Sequence, residues 1–202
     1  MKTILYFLTI WLLLIPTSAV LAADAAAPDA LVKSTVDEVL AVIKQNKDKR
    51  ALRALAEQKV LPHFDFKHMT QLAVGTAWRQ ANPAQQQALE NNFRTLLVNT
   101  YTNALSVSAT GTQTVEVKPA QVKADQNEVT VKTTVKDPGK PPIAIDYRMA
   151  KAAGGWKVFD VVVEDLSLVT TYRGTFASEV GRSGIDGLIK VLDAKNRTLA
   201  KT

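Results

Sequence analysis

Cysteine is absent from all 202 residues. No disulfide staples the fold, no thiolate serves as nucleophile or metal ligand, and no lipid anchor can be attached through a cysteine at a processing site. Histidine is nearly absent too. His63 and His68 are the only two, and their spacing does not put them on one helix face, so they read as surface or capping residues and not as a metal site. No phosphate-cradling or nucleophile-exposing turn is present. Ser167 lies in Glu-Asp-Leu-Ser-Leu, and the stretch from Gly181 to Gly187 has no Lys followed by Ser or Thr. Lys and Arg number 25 against 19 Asp and Glu, a net charge of +6. They are scattered, with only short clusters such as Lys47, Lys49, Arg50 and Arg53, which is too diffuse for a nucleic-acid groove. Nothing in this inventory calls for a cofactor.

What is present begins at the N-terminus. Lys2 precedes an apolar run from Thr3 to Ile15, Pro16 ends it, and Val20 and Ala22 bring compact residues to a cleavage position. The pattern predicts a secretory signal peptide over residues 1–22, because the run is shorter than the roughly 20 residues of a spanning helix. Its removal takes out Lys2 alone among the charged residues and leaves a single domain over residues 23–202. Export would place that domain in an extracytoplasmic compartment, and its length allows a core without disulfides.

Within the domain, periodicity changes along the chain. Val32, Val36, Val39, Leu40 and Ile43 recur at helical spacing after Asp29. A second helix is predicted from Lys49 to Val60, ended by Pro62, and a third from Phe66 to Ala77. Asn82, Pro83 and Gln85 form a capping box for a long helix reaching about Val107, with its stripe on Leu89, Phe93, Leu96, Leu97, Tyr101, Ala104 and Leu105. After Gly111 the period becomes two. Strands are predicted around Val115–Val117, Val129–Val135, Ile143–Ala150 and Trp156–Val163, joined by short turns into an antiparallel meander. In the last strand simple alternation puts Trp156, Val158 and Val162 on one face and Phe159, Val161 and Val163 on the other, the pattern of a central strand covered on both sides. Two closing helices are predicted, from Ser167 to Val180 and from Ile185 to Leu199. This order specifies an α+β fold: a curved antiparallel sheet of about four to five strands wrapped by N-terminal and C-terminal helices.

The segments Leu61-Pro62-His63-Phe64-Asp65-Phe66-Lys67-His68-Met69 and Trp78-Arg79, then Phe93, Leu96-Leu97 and Tyr101, occur in one order along the chain. They are followed by Ile145-Asp146-Tyr147, Trp156-Lys157-Val158-Phe159-Asp160-Val161, Ser167-Leu168-Val169, Tyr172-Arg173, Phe176 and Gly187-Leu188-Ile189. Together they resemble the periplasmic component of the Mla (maintenance of lipid asymmetry) phospholipid pathway, also known as the toluene-tolerance periplasmic family. Asp165 departs from the small residue, often Gly, expected before Ser-Leu-Val. The resemblance implies a nuclear-transport-factor-like sheet with phospholipid tails inside and the headgroup outside. It implies a periplasmic carrier, expected to be a monomer, that docks on an outer-membrane lipoprotein–porin complex and on an inner-membrane ABC transporter with an MCE-domain subunit.

On that reading, Phe93, Leu97 and Tyr101 of the long helix face Val131, Ile145, Tyr147 and Val161 of the sheet across a tail cavity. Leu168, Tyr172 and Phe176 close one end. Arg173 and Arg79, each following a large aromatic residue, are candidates for the lipid phosphate, or for ion pairs with Asp65 or Asp160. The helices before Asn82 are expected to move on the sheet to let lipid pass. Two other classes remain open: an envelope adaptor with a solid core, and a small-molecule hydratase or isomerase using Asp146 or Asp160 inside the pocket. No catalytic residues are assigned, since Asp160 and Glu164 on one strand would stand about 13 Å apart.

Overall fold

The computed structural model describes residues 26–45, 48–108, 111–123 and 125–201, and the expected signal peptide lies outside them. Helix α1 (Pro28–Gln45) begins with Pro28, whose missing N–H would be unpaired at that position in any case. Helix α2 (Lys49–Leu55) starts at Asp48, whose carboxylate accepts the N–H groups of Arg50 and Ala51 at 2.9 and 3.1 Å. The expected continuation to Val60 is corrected. From Ala56 the chain widens into a π turn and at Leu61–His63 tightens into a 3-10 turn, because Pro62 has no amide to donate and its ring blocks the preceding turn. Asp65 caps α3 (Phe66–Val74) by accepting the His68 N–H at 2.9 Å. The helix stops short of the expected Ala77 where Gly75 takes φ 66°, and a 3-10 segment follows. The capping box of α4 (Pro83–Ser108) is reciprocal: Asn82 N–H donates to Gln85 Oε1 at 3.0 Å, and Gln85 N–H to Asn82 Oδ1 at 2.9 Å. At 1.5 Å per residue this helix is about 39 Å long.

The strands are β1 (Thr114–Val117), β2 (Glu128–Lys136), β3 (Ile143–Ala152), β4 (Gly155–Val163) and β5 (Leu166–Ser167). They pair in the order β1-β2-β3-β4-β5, antiparallel throughout. The α+β reading, with one antiparallel sheet wrapped by helices from both chain ends, therefore holds. The faces of β4 need correction. Arg148 opposes Asp160 but Met149 opposes Val158, so Phe159 is the extra residue of a bulge. One inserted residue reverses the alternation beyond it. Val158, Val161 and Val163 consequently share one face with Trp156, while Phe159 and Asp160 serve the other. Nor is β4 central. Its outer neighbour β5 has two residues, and what covers both faces is a helical layer on each side.

The two expected closing helices are both present, together α5 (Leu168–Leu199), and they meet at a break at Gly184, whose φ of 72° and ψ of −176° are open essentially only to glycine. The N-cap of α5 is tied to the sheet. Asp160, 1 % exposed, accepts Ser167 Oγ–H at 2.7 Å and Val169 N–H at 3.1 Å, with Arg148 Nη1 3.5 Å away. Asp160→Ala would leave the buried Val169 amide unpaired and unpin the helix start. A loss of about 2–3 kcal/mol in unfolding free energy is expected by urea titration. An unchanged midpoint and slope would show that this junction is not structural.

Two cores result. In the first, α3, the N-terminal half of α4, Phe159 and α5 enclose Met69, Ala73, Leu89, Phe93, Leu96 and Phe176. In the second, α1 meets the opposite sheet face over Val32, Val129, Val131, Met149, Trp156 and Val158. Of the helices before Asn82, α3 is buried in the first core, whereas α1, α2 and the turns up to His63 lie across the sheet as a cover.

Candidate functional site

The apolar stripe of α4 serves two different neighbours. Leu89, Phe93 and Leu96 are fully packed against α3 and α5. Farther along, Leu97, Val98, Tyr101 and Leu105 face no helix tightly enough to fill the space. They bound a cavity of ≈ 580 Å³ enclosed by α1, α2, α4 and the sheet. Its roof is Leu31, Val36, Val39, Leu40 and Ile43 of α1 with Leu52 and Leu55 of α2. Its floor is Val115, Val135, Ile143, Ile145, Tyr147, Val161 and Val163, and Leu168 lies at its margin. The floor is continuous because the bulge at Phe159 turns Val161 and Val163 to the same side as Ile145 and Tyr147.

Polar groups are few: Thr35, His63 and Thr102 in the lining, and a charged pair at one end. There Gln113, Asp137 and Lys140 line the cavity. The Asp137 carboxylate accepts Lys140 Nζ–H at 2.7 Å, Thr112 Oγ1–H at 3.1 Å and Gln113 Nε2–H at 3.5 Å. The titratable groups elsewhere in the lining are pushed toward their neutral forms. Burial raises the Tyr147 hydroxyl to about 12 and also raises Tyr101, helped by Tyr172 nearby. Burial, with the charge of Lys157, holds His63 below its ordinary 6.5 against the opposing pull of Glu38. A cavity of this kind has an apolar interior and one charged pair near its edge. It suits a long apolar molecule with a polar end.

Leu97, Tyr101, Ile145, Tyr147, Val161 and Leu168 are brought together on this cavity. The other sequence-predicted residues are not. Phe93, Tyr172 and Phe176 form an aromatic cluster between α4 and α5, with ring centroids 5.0 to 5.5 Å apart. They pack in or against the first core, and none of them lines the cavity. Val131 is wholly buried in the second core under α1. Arg173 lies against Gly75, its Nε 3.4 Å from where a Cβ there would sit, and Arg79 ends the 3-10 segment on the exposed surface. Neither arginine lines the cavity, and the carboxylates proposed as their partners are engaged elsewhere, Asp65 on the α3 cap and Asp160 on the α5 cap. Asp146 and Asp160 both point away from the cavity, so the acid–base arrangement of a hydratase or isomerase is not assembled. What the sequence reading missed is the roof. The stripe of α1 was legible, but an apolar stripe has the same spacing whether it covers packed side chains or open space.

Among the described residues no helix is long and apolar enough to cross a membrane. The MlaC protein family matches residues 33–194. The toluene tolerance protein ttg2D of Pseudomonas putida is 29 % identical over 199 residues, covering 94 % of this chain and 89 % of its own. The intermembrane phospholipid transport system binding protein MlaC of Haemophilus influenzae is 22 % identical over 170 residues, covering 80 % and 78 %. A solved structure of a phospholipid-binding protein from Ralstonia solanacearum, in complex with a phospholipid, is 41 % identical with a TM-score of 0.78, covering 87 % of this chain and 99 % of that one.

Proposed function

The chain belongs to the MlaC protein family, and on that premise we propose that it is a periplasmic phospholipid carrier which shields acyl tails in the cavity between α1, α2, α4 and the sheet. The observation that carries this reading is the cavity itself, ≈ 580 Å³ and lined almost wholly by apolar side chains. At about 24 cal/mol per Å³ an empty, dry cavity of that size would cost about 14 kcal/mol. That equals the whole stability of a typical domain, 5–15 kcal/mol. The space is therefore not left empty and dry: a ligand or water fills it, or it is partly collapsed. The tails of a phospholipid are a matching occupant: each methylene taken from water contributes about 0.8 kcal/mol, about 24 kcal/mol for two tails of about 15 methylenes. The polar end, with Asp137 and Lys140, would face the headgroup. The Ralstonia relative described as holding a phospholipid supports the same assignment.

The carrier would receive and deliver its lipid at membrane complexes, an outer-membrane lipoprotein–porin assembly and an inner-membrane ABC transporter with an MCE-domain subunit, and so serve the lipid asymmetry of the outer membrane. The test of the carrier reading is direct. Protein purified without detergent is extracted with organic solvent and its lipids are identified by mass spectrometry. About one diacyl phospholipid per chain is expected, and removing it should lower the thermal midpoint, since a ligand bound by the folded state alone stabilises it. A lipid-free preparation with full thermal stability would dismiss the proposal.

A further inference from the structure

Large apolar side chains left in water are concentrated at one end of the molecule. Among the described residues, Tyr101, Leu105, Val107, Ile143 and Leu166 are exposed there, Val107 at 88 % and Leu166 at 71 %, while Val122 and Val191 lie elsewhere. The register places them together. Ile143 opposes Val135 near the end of β2, which opposes the start of β1, where the chain arrives from α4. Leu166 opposes Val163, which in turn opposes Ile145. Tyr101, Leu105 and Ile143 also line the cavity, so this exposed surface continues the interior and forms its lip.

A second observation falls on the same lip. Glu164 and Asp165 connect β4 to β5 with φ of 47° and 63°, a left-handed conformation uncommon outside glycine, asparagine and aspartate. The turn is held by β3: Glu164 N–H donates to the Ala144 carbonyl at 3.0 Å, and Ala144 N–H donates to Glu164 Oε1 at 2.5 Å. Positive φ at both central positions is what a two-residue hairpin between the paired Val163 and Leu166 requires, and this tight turn presents Leu166 outward beside the exposed Asp165. The lysines of this lip already have anionic partners, Lys136 with Glu116 and Lys140 with Asp137. The sheet side of the opening is therefore apolar and acidic on a chain whose net charge is +6. An anionic bilayer is not attracted to such an edge. A protein with lysine or arginine around an apolar opening is.

We infer that the lip formed by Tyr101, Leu105, Val107, Ile143 and the Glu164–Leu166 turn docks onto a partner protein whose own apolar opening is edged by basic residues. The tails would then pass between the two without meeting water. This rests on the carrier reading and adds to it the surface through which loading or release occurs.

The test places a photo-crosslinking amino acid at Val107 or Leu166, and for comparison at Val122 or Val191, in the full chain inside the cells that produce it. A discrete adduct with a different protein is expected at Val107 and Leu166 only. Its yield should fall about tenfold in Asp165→Asn, which keeps the turn geometry and removes the charge, and in Leu166→Ser. The crosslinked partner residues, mapped by mass spectrometry, should lie beside lysine or arginine. Equal adducts at all four positions, no adduct, or an adduct between two copies of this chain would each overturn the inference. So would flotation of the purified protein with vesicles of phosphatidylethanolamine and phosphatidylglycerol that is lost in Leu166→Ser, since the occupant would then be a bilayer. Lipid content measured on the same wild-type and variant proteins separates the two levels. Absent lipid removes the carrier reading, whereas normal lipid with a failed crosslinking pattern removes only the docking surface.

Discussion

Val161→Glu protein should fold and lose nearly all of its co-purified lipid. Val161 opposes Tyr147 in the sheet and lines the cavity floor, so the new carboxylate would point into the space assigned to the tails. Keeping a charge against hydrocarbon costs several kcal/mol, and about 4 kcal/mol is already close to a thousandfold in affinity. Without lipid, the same carboxylate can be hydrated by water entering the emptied cavity, which is why folding should survive. Leu97→Glu tests the facing wall, although Leu97 also touches the first core and is the more disruptive change. Ile145→Trp fills the space without a charge and should likewise exclude lipid, whereas Thr130→Glu, exposed on the other face of β2, should leave lipid content unchanged. The measurement is lipid per chain by mass spectrometry beside far-ultraviolet circular dichroism. Well-folded Val161→Glu and Ile145→Trp proteins with wild-type lipid content would show that the tails lie elsewhere.

Locking α2 to α4 is expected to stop lipid transfer while leaving bound lipid in place. The roof of the cavity is α1 and α2, and α2 is held to the long helix by a bond from Arg53 Nη1–H to Asn99 Oδ1 at 2.8 Å. The rest of the surroundings is poorly suited to opening: the sheet is hydrogen-bonded throughout, and α3 is buried in the first core with Met69 and Ala73 almost inaccessible. The natural hinge is the irregular stretch from Ala56 to His63, where the π turn and the Pro62 turn interrupt the helical ladder. It is anchored at Phe64 and Asp65, whose N–H donates to the Val158 carbonyl at 2.8 Å. Because the chain has no cysteine, Arg53→Cys and Asn99→Cys can be joined selectively by a short bis-maleimide. Transfer of a fluorescent phospholipid between vesicles should fall about a hundredfold or more on crosslinking, as lid opening of this kind gates passage. Each single-cysteine protein treated in the same way should remain active. Wild-type transfer by the crosslinked protein would mean that lipid leaves without movement of α2.

Much of the fold was legible because its signals are local. The reciprocal box of Asn82 and Gln85 depends on three residues and started α4 where expected. Pro62 ended a helix wherever the rest of the chain lay, and the alternation of Val129, Val131, Thr133 and Val135 needed no distant information to make a strand. Where such signals failed, a neighbour decided. The bulge at Phe159 arises between two strands, and it reversed which side Val161 and Val163 face. The break at Gly184 was legible for the same reason as the caps, since it falls between the two closing helices that spacing predicted and its backbone is non-helical.

The cavity divides along the same line. Leu97, Tyr101, Ile145, Tyr147 and Val161 were expected on it from the family resemblance together with the inward faces of their elements, and they line it. Phe93, Tyr172 and Phe176 carry the same hydrophobic signal and went into solid core, since α5 folds back onto one half of α4 and not onto the other. By itself the sequence determined most of the elements, their apolar faces, and the family to which the chain belongs. Only the tertiary structure decided which of those faces meet and which stand apart across ≈ 580 Å³. Hydrophobic burial is non-directional: a leucine has the same preference for a neighbouring side chain as for the tail of a lipid, and the difference lies entirely in what the rest of the fold leaves beside it.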